Sequence, residues 1–220
     1  MVMQKDMFWK AGIVTLVIFI SGVLLGYILE NNRINEVRQD YRDLEKQWAD
    51  AKIQSTFYQL MTPSFCNESI KENLNFADRV YDEGLKLEKF EDKNIISDDI
   101  LYDKERYVLL KLEFWLNSVY LKNKCNTNYT NLIYFYAQNP TLIQKAAQNT
   151  QSLILKDLKD KHGQEIMLIP LPIDLDIATI NILKDKYKIT DVPTILINEK
   201  IKLDEVNSME VIENTIKNGM

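Results

Sequence analysis

Residues Lys186–Asn198 read KYKITDVPTILIN. A helix end runs into a turn, then a single proline, Pro193, opens an unbroken apolar run. Proline has no N–H to give a ladder, so in a sheet it is confined to a strand's first residue, an edge or a bulge. An X–Pro bond at such a turn is also where a cis peptide is tolerated. The reading that reconciles proline with a buried strand is a strand that starts at Pro193, preceded by a cis Val192–Pro193 bond.

Working outward, the apolar period alternates between strand and helix. NLIYFYA (131–137) reads as a strand. The helix that follows, to Gly163, takes Asn139 as N-cap and Pro140 as its first helical residue. EIMLIPLPID is a second apolar strand and IATINILKDKYK a second helix. PTILIN and KIKLDEV form a hairpin around Glu199, and a last helix is capped by Ser208. The order β-α-β-α-β-β-α predicts an α/β domain over 131–220. Its sheet is mixed and four-stranded, with a right-handed crossover between its first two strands.

The region before this domain is helical. SFCNESIKENLNFADRVYDEGLKLEKF carries an apolar stripe at Ile70, Leu74, Ala77, Tyr81 and Leu85. A break follows, with Ser97 as the next N-cap. The second helix shows Leu101, Val108, Leu112, Trp115 and Val119 on one face, widened by Leu109, Leu116 and Tyr120. That width predicts the middle of a small helical bundle. Two helices of near-equal length, folded antiparallel, bring Cys66 and Cys125 to the same end. The 64–125 segment is therefore expected to be a hairpin closed by a structural disulfide. Free thiols and a redox-active pair are the alternatives; Lys124 precedes Cys125, but neither cysteine has a histidine or second cysteine beside it to activate it.

Ala11–Leu29 is uncharged and long enough, at about 28 Å of helix, to match a hydrocarbon core of roughly 30 Å. It predicts an uncleaved signal anchor in the bilayer, flanked by residues 1–10 and by a helical stalk over 30–60. Gly22 and Gly26 form a G-x-x-x-G. Ile34, Val37, Tyr41, Leu44, Trp48 and Ala51 form a heptad-like seam that suits coiled-coil pairing into a homodimer or packing within the chain. Lys5 and Lys10 precede the span, while Arg33, Arg38, Arg42 and Lys46 follow it, so basic residues do not favour a cytoplasmic N-terminus. A disulfide needs an oxidising compartment, which places the bulk of the chain outside the cytoplasm.

Composition excludes other classes. The net charge of −5 argues against a nucleic-acid partner. One histidine, His162, read as a solvated helix-end residue, and two distant cysteines supply no usual zinc site. No cofactor motif is present. Two N-x-(S/T) sequons, Asn67-Glu68-Ser69 and Asn128-Tyr129-Thr130, are as many as a chain this rich in asparagine holds by chance.

The stretch PIDLDIATINILKDKYKITDVPTILINEKIKL resembles the thioredoxin family, with Val192-Pro193-Thr194 matching its cis-proline turn. The resemblance covers about 131–218. It implies a cis bond facing the N-terminus of the domain's first helix. It also implies that FYAQNPTLI puts Pro140 and Ile143 where the family has its two redox cysteines, and Tyr134 where it has a buried acid. The arrangement also resembles membrane-anchored archaeal proteins with a thioredoxin domain. Without a thiolate there is no nucleophile for disulfide exchange. The implied function is a non-catalytic module that binds a polypeptide or scaffolds a complex. Gln138, Asn139, Pro140, Val192 and Pro193 would line the groove. The alternatives are a thiol-disulfide oxidoreductase using Cys66 and Cys125, and a structural membrane protein dimerised through its stalk.

Overall fold

The computed structural model describes residues 3–60, 65–91, 98–125 and 127–219. The side chains of 3–8, 11, 30, 33–45, 47, 48, 51, 59, 82, 83 and 85–103 lie outside the described set. With them go the stalk seam, Leu85, Leu101 and the break containing Ser97. The chain divides into two units, Met1–Asp43 and Leu44–Met220. Helix α1 (Met3–Leu60) contributes to both. Its stretch Gly12–Leu29 has a mean hydropathy of 2.5, none of it buried against protein. It is long and apolar enough to cross a membrane or to act as a signal. A Cβ on Gly22 or Gly26 would meet open space.

The second unit contains α2 (Cys66–Glu91), α3 (Asp98–Lys124), β1 (Thr130–Tyr136), α4 (Leu142–His162), β2 (Ile166–Pro172), α5 (Ala178–Tyr187), β3 (Thr194–Ile197), β4 (Ile201–Asp204) and α6 (Met209–Asn218). The sheet runs β2-β1-β3-β4, with β1 and β2 parallel and β3 and β4 antiparallel to their neighbours. Alternation along each strand divides its residues between two apolar layers. Ile133, Phe135, Met167, Ile169, Leu171 and Leu196 pack with α2, α3 and α5. Leu132, Tyr134, Ile166, Ile195 and Ile197 pack with α4 and α6.

The expected bundle is not what forms. Helices α2 and α3 are an antiparallel pair, with Phe76 edge-on to Phe114 at 5.5 Å, but they lie on the sheet. Gly84 lets the Tyr107 hydroxyl reach the Val80 carbonyl, because a Cβ there would sit 2.5 Å from that oxygen. Sheet and α2 together surround most of α3, so Leu110, Phe114 and Leu121 are buried. Leu109 and Leu116, expected on the packed face, are 42% and 48% exposed. A helix with apolar residues on every side does not reveal in its periodicity which narrow strip meets water.

One polar network fastens this pair. Trp115, 1% exposed, donates its indole N–H to Glu199 Oε1 at 2.7 Å, and Asn131 Nδ2 donates to the same oxygen at 3.0 Å. Lys122 donates to Asn198 Oδ1, which also accepts the Asn131 amide N–H. Burial lowers the Lys122 pKa, and the nearby Glu199 carboxylate partly restores it. Asn198 and Glu199 both have positive φ (49° and 57°), and the Lys200 N–H closes onto the Ile197 carbonyl. This is the backbone of a type I′ turn, whose twist suits a hairpin.

The outer edge of β2 is largely stripped of N–H donors. Ile173 donates to Tyr136, so odd-numbered β2 residues face β1 and even-numbered ones face outward. Pro170 and Pro172 have no N–H to offer there. The Ile166 N–H goes to Gly163, and its carbonyl accepts from buried Lys159, which also pairs with Asp78 of α2 at 2.8 Å. At the far end of α4, His162 is partly buried rather than solvated. It shares Glu213 with Lys161, and those two hydrogen bonds, Lys161's first, hold the Glu213 carboxyl down to about 2.

Replacing Glu199 by Ala leaves the Trp115 and Asn131 donors buried without a partner. The expected cost is about 2 kcal/mol in urea unfolding of the full chain. An unchanged midpoint would show that the network does not hold α3 on the sheet.

Candidate functional site

β1 ends at Tyr136. Its antiparallel register with β3, continued two residues, sets Tyr136 opposite Pro193 and Ala137 opposite Val192. The Val192–Pro193 bond is cis, and Pro193 is buried. Continued as a regular ladder, Val192 and Ala137 would exchange hydrogen bonds. They do not. The Ala137 N–H donates to Gln148 Oε1 at 2.8 Å, and its carbonyl accepts from Gln148 Nε2 at 3.2 Å. One side-chain amide from α4 thus occupies the place of a paired strand. The backbone of Val192 makes no hydrogen bond among the described residues. Tyr134 is buried, and its phenol donates to the Gln148 carbonyl at 3.1 Å, holding the same residue from below.

The loop after β1 is held from across the sheet end. Asp174, just past β2, accepts the Gln138 N–H at 2.7 Å and the Asn139 N–H at 2.8 Å. With both amides taken, the helix starts later than expected. Its N-cap is Thr141, not Asn139, and Pro140 precedes the cap instead of being the first helical residue. The cap is a capping box: Thr141 Oγ1 accepts the Gln144 N–H, and Gln144 Oε1 accepts the Thr141 N–H at 3.0 Å. Leu142 and Ile143 then form the first turn of α4, 88% and 85% exposed.

Gln138, Asn139, Pro140, Val192 and Pro193 are therefore brought to one end of the sheet, the C-terminal end of β1. Ile143 stands in the first helical turn there. Thr141, Gln144, Gln148 and Asp174 complete the site and were not anticipated. The T-x-x-Q spacing at 141–144 is a readable capping signal. Gln148 and Asp174 carry no local signal, because each acts on a residue distant in the chain.

Cys66 and Cys125 are bonded to each other, with Cα atoms 5.6 Å apart. The bond joins the start of α2 to the end of α3. Tyr58 of α1 is buried against it, and burial, reinforced by Glu72 and Asp50, raises its phenol to about 12. The Tyr58 carbonyl accepts from Lys124 Nζ at 2.9 Å. Lys122, one turn before Cys125, reaches the Tyr129 carbonyl and the turn residue Asn198. This places the disulfide at the N-terminal end of β1. Six rises of about 3.3 Å separate the two ends of that strand, roughly 20 Å. Among the described residues, no group of three His, Cys, Asp or Glu side chains is placed to hold a metal ion.

No family model and no curated protein matches the chain. Solved structures do resemble part of it. One is described as a malarial protein (23% identity, TM-score 0.34, 41% of this chain and 97% of that one). Another is thioredoxin-2, a component of the malaria parasite protein secretion machinery (24%, 0.34, 42% and 84%). A third is chloroplastic thioredoxin z (13%, 0.34, 42% and 80%).

Replacing Gln148 by Leu removes both partners of the Ala137 backbone. Amide exchange at Ala137 is expected to accelerate at least about tenfold, equivalent to one lost hydrogen bond, while Leu132–Phe135 stay protected. An Ala137 amide as slow as in the parent chain would show that another group protects it.

Proposed function

We propose that this chain is a membrane-anchored, non-catalytic module whose cis-proline end binds an extended polypeptide outside the cytoplasm. One observation carries the reading. Val192 presents an N–H and C=O that are unpaired among the described residues, at a sheet end where Gln148 has already satisfied the strand opposite. An extended chain laid beside Val192 would gain a pair of backbone hydrogen bonds, with sequence preference set by side chains on alternate positions. Leu142 and Ile143 supply exposed apolar surface in the adjacent helical turn. An apolar residue in the bound segment would lose water against them.

The reaction that the resemblance brings to mind lacks its parts at this end. Pro140 offers no sulfur before the helix, and Ile143 offers none within it. A thiolate at the start of α4 would have the unpaired N–H groups of the first turn to stabilise it. Here those groups face no thiol. The chain's two cysteines are bonded to each other at the opposite end of β1. The apolar stretch Gly12–Leu29 supplies the anchor, and the disulfide favours an oxidising compartment for the rest.

Two measurements on the full chain in detergent test the reading. Insulin reduction with dithiothreitol is expected to stay at background. A rate above it that vanishes in Cys66→Ser would make the protein a thiol-disulfide oxidoreductase instead. Binding to an array of extended peptides is expected, and Ile143→Glu should weaken it about tenfold or more without shifting the melting temperature. Equal binding by parent and variant would remove the site from this end.

A further inference from the structure

The two sequons carry no argument as sequence, but the fold brings them together. Asn67 follows Cys66 directly, and Asn128 lies three residues after Cys125, so the disulfide sets both at one end of the α2–α3 pair. Both asparagines are exposed, and neither side chain makes a hydrogen bond among the described residues. Their partners in the sequon are not exposed. Ser69 is buried in α2, and Thr130 is buried as the first residue of β1, in register with Ile166. An aromatic platform stands beside the first site. Phe65, two residues before Asn67, is 48% exposed, and its ring meets that of exposed Phe57 edge-on at 6.0 Å.

We infer that Asn67 and Asn128 are N-glycosylation sites and that the disulfide end of the protein carries sugar. The inference rests on the extracytoplasmic placement in the proposed function, because the transfer machinery works there. The chemistry needs a lipid-phosphate-linked oligosaccharide as donor. The asparagine Nδ2 forms a bond to the anomeric carbon, the bond from that carbon to the phosphate breaks, and the lipid phosphate leaves. The amide loses one proton, which balances the negative charge gained by the departing lipid phosphate and is taken up by it or by water. The sequon hydroxyl takes part in recognition, so transfer precedes the burial of Thr130 in the sheet. Once attached, the glycans project from exposed positions and leave the fold undisturbed. The first sugar at Asn67 can lay its C–H face on Phe65, whose ring face is electron-rich. It would then cover an apolar patch that also includes Ile53, Phe57 and Leu60 of α1.

The test uses the full chain with an added C-terminal Asn-Ser-Thr acceptor, synthesised into glycosylating microsomes. Three glycans are expected, seen as three mobility steps that an amidase removes. Asn67→Gln and Asn128→Gln should each delete one step. If the C-terminal acceptor is modified while either natural asparagine stays bare, the inference fails for that asparagine although the placement stands. If the C-terminal acceptor also stays bare, the placement itself is wrong and the inference falls with it.

Discussion

The carboxylate of Glu199 holds the second unit together. It sits in a β-hairpin turn and accepts hydrogen bonds from the indole of Trp115 on α3 and the amide of Asn131 on β1. Three elements distant in sequence meet at one oxygen. The turn is able to present it because residues 198 and 199 adopt left-handed backbone, which aims Asn198 and Glu199 back at the start of β1. With that oxygen in place, Trp115 lies edge-on to Phe135 at 6.3 Å and 5.9 Å from Tyr187 of α5. The helical hairpin thereby becomes one layer of the domain's core and not an appendage to it. The partly buried carboxylate and the buried Trp115 and Asn131 donors satisfy one another only in this seating, so the network also selects against other seatings of α3.

The same accounting of backbone groups separates the ends and edges of the sheet. Along β2 three of the four outward N–H positions are closed, two by prolines and one by Gly163, and the Ile166 carbonyl is taken by Lys159, which leaves the Leu168 N–H facing outward. That edge has little left to offer another strand. At the C-terminal end of β1 the arrangement is reversed. Gln148 satisfies Ala137 and leaves the Val192 backbone without a partner among the described residues. Polar groups buried in a folded chain are almost all paired, so the open Val192 backbone next to the exposed side chains of Leu142 and Ile143 is the observation on which the proposed polypeptide site rests. The disulfide, its buried Tyr58 and the two exposed asparagines gather about 20 Å away at the other end of β1. Closing a loop of 59 residues there stabilises the hairpin by about 4 kcal/mol on a chain-entropy account.

Much of this was legible in residues 186–198 and their surroundings. A proline at the head of an apolar run has few permitted places in a sheet, and the alternation of strand and helix periods gives the element order directly. Ser208 as a cap and the mixed four-stranded sheet follow from such local rules. The start of α4 was misplaced because its decisive contact is remote. Asp174 takes the amides of Gln138 and Asn139, which shifts the cap to Thr141. The exposed strip of α3 was misjudged for a related reason. Its Leu109 and Leu116 are as apolar as the buried Leu110 and Phe114, and only the neighbours decide between them.

By itself the sequence determined what depends on near neighbours: the apolar span Ala11–Leu29, the helical hairpin, the order of strands and helices along the chain and the absence of cysteine at Pro140 and Ile143. Those are consequences of period, length and backbone chemistry, which act over a few residues. Tertiary structure alone decided that the hairpin packs on the sheet, that Gln148 stands in for a strand beside Ala137, and that both sequon asparagines flank one disulfide. Each depends on groups brought together across the chain, and hydrogen bonds and burial between such groups leave no periodic trace in the order of residues.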